Sequence, residues 1–265
     1  MIMTTTAQKG GVGKTSVTVH LAGVAAEGGY KTLVCDLDPQ SSLSGTLMRK
    51  EGSQGKTLRD LLLNPDLTAS QTIQKTRFDS IDLLPCDLSL GAAEAEFISD
   101  PDSQYLLQNK LEEVKASYDL IMIDTPPNLG ILTRMALVAS DYAIIPIECS
   151  TYGIRSTIYL LKLIIKIKNR ANPDIRILGF VINKLDPRRT IEQTYLEMVR
   201  QKFATKVFQT EIRNSTKYLE AVTQGKPINY YQPKSEQAEA YRSLFREIQP
   251  HLPRPLSTQF KEDKR

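Results

Sequence analysis

A glycine-rich segment close to the amino terminus combines residue types and a spacing that suit phosphate binding. The segment is Gln8-Lys9-Gly10-Gly11-Val12-Gly13-Lys14-Thr15. Glycines allow the backbone to approach a phosphate, a lysine neutralises its charge, and a threonine hydroxyl ligates Mg²⁺. An apolar run precedes the segment and a helical pattern follows it, so the first amides of a helix would face the anion. The sequence therefore predicts a site that binds ATP with Mg²⁺ and hydrolyses the nucleotide.

Carboxylates follow two further apolar runs. Asp36 and Asp38 lie at the end of one run, and Asp124 ends another. In open α/β sheets the carboxyl ends of the strands carry the ligand-binding groups, so we expect these side chains near the glycine-rich segment. An aspartate in the position of Asp124 holds Mg²⁺, often through a water molecule. A single aspartate after a strand is more often a helix cap, but the pair in register with the glycine-rich segment favours a functional role for Asp38.

The glycine-rich segment departs from the general pattern G-x-x-x-x-G-K-[ST] at its first position. Gln8 stands where a glycine is expected, and Lys9 follows it. The string K-G-G-V-G-K-T resembles the deviant Walker A motif of the ParA/MinD family of dimerising ATPases. The resemblance implies that Lys9 reaches across a dimer to the nucleotide phosphates of the partner. It also implies that Lys14 contacts the β- and γ-phosphates, that Thr15 ligates Mg²⁺ and that Ser16 lies near the α-phosphate.

Other motifs of the same family occur in order along the chain. The segment of Asp36 and Asp38 resembles switch I, which implies that Asp38 positions or activates the attacking water and that Asp36 lies close to the metal. Thr125-Pro126-Pro127 resembles switch II. Asn183, at the end of an apolar run, matches a position near the adenine, with a turn or cap residue as the alternative. Three later strings also match, namely Thr210–Arg213, Glu220-Ala221 and Gly225–Pro227. The resemblance thus extends from residue 2 to about residue 250.

The elements that must position these residues follow from an alternation of short apolar runs with longer amphipathic segments. That alternation predicts an α/β fold with a doubly wound, mostly parallel sheet flanked by helices. The predicted strands are Ile2–Ala7, Lys31–Asp36, Ile81–Pro85, Tyr118–Asp124, Tyr142–Ile147, Ile175–Asn183 and a short Lys206–Thr210. The predicted helices are Lys14–Glu27, Tyr105–Ser117, Leu129–Ala139, Thr151–Asn169, Ile191–Phe203, Ser215–Gln224 and Ser235–Gln249.

One domain accounts for most of the chain. We expect a single P-loop ATPase domain over residues 1–250, with a surface excursion at Arg49–Lys56, and a flexible tail over residues 251–265. The cysteines lack metal-ligand spacing and lie singly in apolar segments, which predicts buried thiols in a reducing cytoplasm. They are Cys35, Cys86 and Cys149. The sequence pattern predicts that the protein has neither a signal peptide nor a membrane-spanning segment.

Charge is distributed unevenly along the chain. The whole chain has 34 Lys and Arg against 30 Asp and Glu, a net charge of +4. Residues 1–100 hold 9 basic and 12 acidic residues, net −3, which leaves 25 and 18 for residues 101–265, net +7. A basic carboxyl-terminal part favours a polyanion such as DNA, with solvated surface lysines as the alternative. The candidates for sequence-independent, salt-sensitive phosphate contacts are Arg200, Lys202, Lys217 and Lys226.

The family resemblance also implies an activity and partners. It implies an ATP-dependent homodimer that binds nonspecific DNA and positions a plasmid, a chromosome or a protein organelle such as the carboxysome. Hydrolysis would be stimulated by a ParB-like or cargo-specific adaptor, and the protein would lie in the cytoplasm on the bacterial nucleoid. Two alternatives stay open, a MinD-like membrane switch and a P-loop synthetase for a small molecule. The ending Ser257–Arg265 lacks an apolar face, which argues against a membrane anchor.

Overall fold

Eight strands form one sheet at the centre of the protein. The computed structural model describes residues 1–48 and 55–255. The strands are β1 Ile2–Thr5, β2 Thr32–Asp36, β3 Gln74–Lys75, β4 Ile81–Leu84, β5 Leu120–Asp124, β6 Tyr142–Ile147, β7 Arg176–Leu185 and β8 Val207–Arg213. Their spatial order is β3-β4-β2-β5-β1-β6-β7-β8. The short β3 pairs antiparallel with β4, and the other strand pairs of the described chain are parallel.

Helices cover the sheet on both faces. The α-helices are α1 Lys14–Glu27, α2 Ser42–Leu47, α3 Leu58–Leu63, α4 Ala69–Thr72, α5 Ser89–Ser99, α6 Leu106–Glu112, α7 Ile131–Ala139, α8 Thr151–Arg170, α9 Thr190–Phe203, α10 Thr216–Thr223, α11 Ile228–Tyr231 and α12 Glu236–Ile248. Short 3₁₀ helices lie at Pro101–Tyr105, Lys115–Ser117, Ala204–Lys206 and Gln249–His251. A mostly parallel sheet between two helical layers confirms the predicted doubly wound α/β class.

Alternate residues of the central strands enter separate hydrophobic cores. In β2, Val34 packs in a cluster with α1 and α12, whereas Leu33 and Cys35 pack with the helices α3, α5, α6 and α7 on the opposite face. A third cluster joins α8 and α9 to β6 and β7 and includes Cys149. The central strands are therefore buried on both faces, as their continuous apolar character requires. The three cysteines are free and buried, as predicted.

The predicted strands and helices are confirmed, with differences at some ends and with additions. Helix α6 is shorter than the prediction Tyr105–Ser117, because the amide of Val114 bonds to the carbonyl of Leu111 (3.1 Å) and tightens the chain towards a 3₁₀ turn. Helix α5 was not predicted. Its buried side chains are few, Leu90, Ala93 and Phe97, so its apolar pattern in the sequence is weak.

Some predictions fall largely outside the described residues. Of the predicted surface excursion only residues 55 and 56 are described, and of the predicted tail only residues 251–255. The longest described helix, α8, carries Arg155, Lys162 and Lys166 on its exposed surface. Within residues 1–48 and 55–255, no helix combines the length and the apolar composition needed to cross a bilayer.

Candidate functional site

The P-loop, Gln8–Thr15, connects the central strand β1 to the start of α1. Gly11 and Gly13 have φ angles of 77° and 91°, in the left-handed region that other residues avoid. Gly13 is the N-cap of α1 and supplies no capping side chain, and the first turn of the helix holds no acidic residue. The start of α1 therefore offers backbone amides and the positive end of the helix dipole to an anion.

Lys14 is the first residue of α1 and is almost completely buried, with 6% of its surface exposed. Burial lowers the pKa of Lys14, and the carboxylates of Asp124 and Asp38 oppose that decrease. A buried ammonium group keeps its charge only where carboxylates or phosphates face it. Lys14 and the two carboxylates therefore share one space at the carboxyl end of the sheet.

Asp124 ends β5 and is fully buried. Its Oδ2 accepts a hydrogen bond of 2.6 Å from the hydroxyl of Thr15, while its Oδ1 has no partner among the residues that the structure describes. Burial raises the pKa of Asp124 well above its ordinary range, the charge of Asp36 adds to the increase, and Thr15 and Lys14 oppose it. An unpaired carboxylate oxygen beside a threonine hydroxyl is a hard oxygen donor set that suits Mg²⁺.

Asp36 ends β2, is fully buried and lies opposite Asp124 in the pairing of β2 with β5. Its Oδ2 accepts hydrogen bonds of 2.7 Å from both the amide and the hydroxyl of Ser44, and its Oδ1 accepts one of 3.2 Å from the amide of Asp38. Burial raises the pKa of Asp36 to about 6. Asp38, which is 9% exposed, accepts a hydrogen bond of 3.0 Å from the amide of Gln40. In the structure Asp36 thus anchors the start of α2, and its contact with a metal stays a prediction.

Helix α5 adds a carboxylate to this group. Burial raises the pKa of Glu94, and the nearby charge of Asp38 adds to the increase. The Oε2 atom of Glu94 lies 3.5 Å from the point where a Cβ of Gly130 would stand, directly before α7. One turn earlier on α5, a Cβ at Gly91 would lie 3.3 Å from the Cβ of Pro39. Helix α5 therefore connects the segment that resembles switch I to the end of the loop that begins with the segment resembling switch II.

On the other side of β1, the end of β7 contacts the P-loop backbone. Asn183 Nδ2 donates a hydrogen bond of 2.7 Å to the carbonyl of Val12, and a Cβ at Gly13 would lie 2.3 Å from that nitrogen. The ammonium group of Lys184 donates to the carbonyl of Gly11. The structure thus places Asn183 against the P-loop backbone, and its contact with an adenine stays a prediction.

Lys9 lies at the rim of the P-loop. Its ammonium group pairs with the carboxylate of Glu148, directly after β6, and 36% of its side chain is exposed. Beside this ion pair is an open cavity of about 430 Å³, lined by Gln8, Lys9, Tyr152, Arg155, Ser156 and Tyr159. The two lysines of the P-loop therefore have different surroundings. Lys14 is buried near the carboxylates of Asp124 and Asp38, whereas Lys9 lies at the surface and pairs with the carboxylate of Glu148.

The residues predicted to contact DNA lie on separate elements. Arg200 of α9 is half-buried, and its guanidinium lies 2.7 Å from the carboxylate of Glu211 in β8. Lys202 is exposed in the last turn of α9, Lys217 is half-buried in the first turn of α10, and Lys226 is exposed between α10 and α11. Arg200 would have to leave its carboxylate to bind a phosphate, so the lysines are the better-placed candidates. Contact of all four with DNA stays a prediction.

Three residues of the site were not predicted from the sequence, namely Glu148, Glu94 and Lys184. Glu148 had a usable signal, because it follows a predicted strand as the aspartates of the site do. Glu94 lies on a helix that was not predicted. Lys184 adjoins a residue that was singled out, but its backbone conformation and its contact with the P-loop depend on the packing of β7 beside β1 and β6.

The residues present fit a nucleotide with magnesium. Within the described ranges, no group of three or more His, Cys, Asp or Glu side chains could hold a metal ion by itself. That suits Mg²⁺ in nucleotide sites, where one or two protein ligands, water and the substrate phosphates complete the coordination. A glycine-rich loop between a central strand and a helix, with a buried lysine and a threonine bound to an aspartate, defines a P-loop nucleotide-binding protein.

Comparison with known proteins identifies the family within this class. Residues 1–177 match the AAA_31 family, an AAA domain. The chain is 35% identical over 247 residues to the sporulation initiation inhibitor protein Soj of Bacillus subtilis, and the match covers 93% of this chain and 97% of Soj. The chain therefore belongs to the ParA/Soj family of partitioning P-loop ATPases, which confirms the resemblance seen in the sequence.

Solved structures share the fold. The apo structure of McdA from Cyanothece has a TM-score of 0.84 at 21% identity, covering 93% of this chain and 98% of McdA, and this likeness concerns the fold alone. A cobyrinic acid a,c-diamide synthase from Mycobacterium smegmatis, with bound ADP and magnesium, has a TM-score of 0.77 at 29% identity. That match covers 91% of this chain and 90% of the synthase.

Proposed function

We propose that the protein is an ATP-dependent dimerising switch that positions a cargo on nonspecific DNA. ATP closes a homodimer, the dimer binds DNA, an adaptor on the cargo stimulates hydrolysis, and the subunits separate. The cargo is a plasmid, a chromosome or a protein organelle such as the carboxysome. Membership of a partitioning ATPase family supports this cycle.

In this proposal the nucleotide lies at the start of α1. The amides of Gly10 to Thr15 and the ammonium group of Lys14 bind the phosphates. Thr15 and the Oδ1 of Asp124, which has no partner among the described residues, would hold Mg²⁺, and the ion would neutralise phosphate charge. Asp38, which is largely buried after β2, positions the attacking water. This reaction is a Mg²⁺-dependent hydrolysis of ATP to ADP and phosphate.

The observation that carries the dimer proposal is the placement of Lys9. A lysine that served its own nucleotide would be expected inside the phosphate cradle, as Lys14 is. Lys9 instead lies at the rim, beside an open cavity, and among the described residues its ammonium group pairs with Glu148 alone. This position supports a contact with a nucleotide in a second subunit, much as an arginine finger acts in trans. Closure of the dimer requires exchange of the Glu148 contact for the phosphates of the partner's nucleotide.

DNA binding is assigned to three lysines of the carboxyl-terminal half, two of them exposed and one half-buried. Lys202, Lys217 and Lys226 lie on or next to α9 and α10. Contacts of this kind go to backbone phosphates, so binding is independent of sequence and weakens steeply as salt increases. Dependence of DNA binding on ATP follows if the lysines of both subunits are needed for one DNA segment.

The proposal is tested by measuring mass and DNA binding of the same samples. With MgATP, light scattering is expected to show a dimer, and this dimer should shift random-sequence DNA in a gel. With MgADP, the protein is expected to be a monomer that does not shift the DNA. Asp38→Ala is expected to accumulate as a DNA-bound ATP dimer. Lys9→Ala should remain monomeric with MgATP, whereas the control Lys166→Ala, on the exposed surface of α8, should dimerise normally. DNA binding that is indifferent to the nucleotide, or full dimerisation of Lys9→Ala, would contradict the proposal.

A small-molecule synthetase is the second candidate, because the Mycobacterium smegmatis synthase has a similar fold at 29% identity. This function predicts ATP turnover that requires a small substrate and is unaffected by DNA. A MinD-like membrane switch predicts ATP-dependent sedimentation with liposomes. Basal ATPase assays with and without DNA, and with anionic vesicles, separate the three functions.

A further inference from the structure

Neighbouring residues at the end of β7 hold neighbouring carbonyls of the P-loop. Asn183 donates to the carbonyl of Val12, and Lys184 donates to the carbonyl of Gly11. We call Asn183 and Lys184 the β7 clamp. The Lys184 contact joins residues 173 positions apart in the chain, so it is a feature of the tertiary fold.

The backbone of Lys184 is adapted to this contact. Lys184 has a φ of 58°, a left-handed conformation that is uncommon for a residue with a side chain. The pairing of β7 with β8 is irregular between Asn183 and Leu185, that is, at Lys184 itself. In a regular strand, successive side chains point to opposite faces of the sheet. The irregularity at Lys184 breaks that alternation and lets both side chains of the β7 clamp reach the P-loop.

The two carbonyl contacts determine where two P-loop amides point. A peptide unit is planar and trans, so its N–H points opposite to its C=O. When the carbonyl of Gly11 faces Lys184, the amide of Val12 faces away from β7. When the carbonyl of Val12 faces Asn183, the amide of Gly13 likewise faces away from β7. Both amides belong to the turn that leads into α1, where an anion would lie.

We propose that Lys184 is a positioning residue that orients the Val12 amide of the P-loop for nucleotide phosphates. The inference rests on the proposed function, because it assigns to Lys184 a part in binding the same nucleotide. Lys184 does not itself have to touch the phosphates. Its ammonium group binds the Gly11 carbonyl of the P-loop on the side that faces β7. The left-handed backbone of Lys184 costs stability and is retained for that contact.

The test separates the contact from the backbone strain. Lys184→Met keeps the side-chain length and removes the donor, Lys184→Gly removes the donor and relieves the left-handed strain, and Lys184→Arg keeps a donor. MgADP affinity is measured by calorimetry, because ADP reports on the P-loop without dimer closure. Thermal unfolding of the nucleotide-free proteins is measured in parallel. Lys166→Met, about 22 Å along α8 from the helix start, is the control.

Loss of one hydrogen bond that is partly open to water is expected to weaken MgADP binding about three- to tenfold in both the Met and the Gly variants. Lys184→Gly should nonetheless unfold about 2–4 °C higher than Lys184→Met, because both variants lack the donor and only glycine relieves the left-handed strain. Lys184→Arg should bind within about twofold of wild type, as one retained charged donor allows. In steady-state ATPase assays the Met variant should increase KM and leave kcat unchanged, because chemistry is not its role.

Three results would overturn the inference. The first is wild-type affinity in Lys184→Met. The second is a loss of affinity that follows the melting temperature across the variants, which would mean a structural role only. The third is a loss that Lys184→Arg does not restore. Failure of the wild-type protein itself to bind MgADP or MgATP is a separate outcome, which contradicts the proposed nucleotide function and with it the role of Lys184.

Discussion

The two sides of the P-loop can be compared group by group. On one side lies an acidic flank formed by Asp36, Asp38 and Asp124 at the ends of β2 and β5. On the other lies a clamp flank formed by Glu148, Asn183 and Lys184 at the ends of β6 and β7. Burial raises the pKa of two residues of the acidic flank, and one carboxylate oxygen there lacks a partner in the described chain. All three side chains of the clamp flank bind P-loop groups directly.

This difference indicates that the clamp flank is complete before a ligand arrives and that the acidic flank is not. The clamp flank uses the protein's own donors and acceptors to hold the loop in shape. The acidic flank gathers carboxyl groups in a buried space, where their ionised forms are unfavourable until a cation enters. Substitutions on the acidic flank should therefore change chemistry and pH dependence, whereas those on the clamp flank should change affinity and association.

The largest effect is expected for Asp38→Ala. Loss of the group that positions the attacking water should reduce the ATPase rate about a thousandfold, within the range for a general acid–base residue. MgADP affinity should stay within about twofold, because the groups proposed to bind the phosphates are the P-loop amides and Lys14 and not Asp38. Rates from phosphate release and affinities from calorimetry check both parts. Asp66→Ala, at an exposed position, is the control. An equal loss of MgADP affinity and ATPase rate in Asp38→Ala would contradict the assignment of chemistry to the acidic flank and affinity to the clamp flank.

A second prediction concerns stability and pH. The pKa of Asp36 is raised from 3.8 to about 6 in the folded protein, so the folded state holds more protons than the unfolded state between these values. The free energy of unfolding of the metal-free protein should therefore decrease as pH rises through about 4 to 6, by about 3 kcal/mol from this group.

Denaturant unfolding in EDTA across that pH range checks the sign. Asp36→Asn should flatten the dependence, although it also disturbs the contact with Ser44, while the exposed Asp66→Asn should leave the slope unchanged. A wild-type protein that gains stability over the same interval would contradict the assignment of a buried, protonated Asp36.

A third prediction concerns the surface contact of the clamp flank. Glu148→Gln removes the carboxylate that holds Lys9 within its own subunit, at a site where an ion pair is partly exposed. We expect the ATP-bound dimer to form at a protein concentration about two- to fivefold lower, the scale of such a pair. Concentration series in analytical ultracentrifugation measure the midpoint, with Glu197→Gln on α9 as the matched control. A weaker dimer would mean instead that Glu148 is needed across the interface.

The smallest effect is expected at Glu94, which borders the acidic flank. Glu94→Gln removes a carboxylate near Asp38 and should increase the Mg²⁺ concentration for half-maximal ATPase activity about two- to threefold, the range for a weakly screened charge. Glu96→Gln, an exposed residue two positions along α5, is the control. A Mg²⁺ requirement that is the same in both variants would show that the charge of Glu94 does not influence the acidic flank.

Much of the fold was predictable because its signals are local. Continuous apolar runs identify buried parallel strands, and the segments from Ile2 and from Leu120 are of this kind. Elements with little buried surface escaped prediction. The strand Gln74–Lys75 has only two residues, and α5 buries too few side chains to produce a clear period. Their existence depends on partners that are distant in sequence.

The sequence by itself determined the P-loop and the acidic flank. Glycine spacing, Lys14 and Thr15 are local chemistry, and parallel strands bring their carboxyl ends, with Asp36 and Asp124, to one edge of the sheet. That β2 and β5 are neighbours at that edge was decided by the strand order. Only the tertiary structure decided the clamp flank. The Lys9–Glu148 contact joins residues 139 positions apart in the chain. Lys184 reaches Gly11 only because β7 lies next to β6 and because the backbone of Lys184 is in the left-handed conformation near the end of β7. No local pattern encodes such contacts, because they depend on strand order, register and one irregular backbone angle.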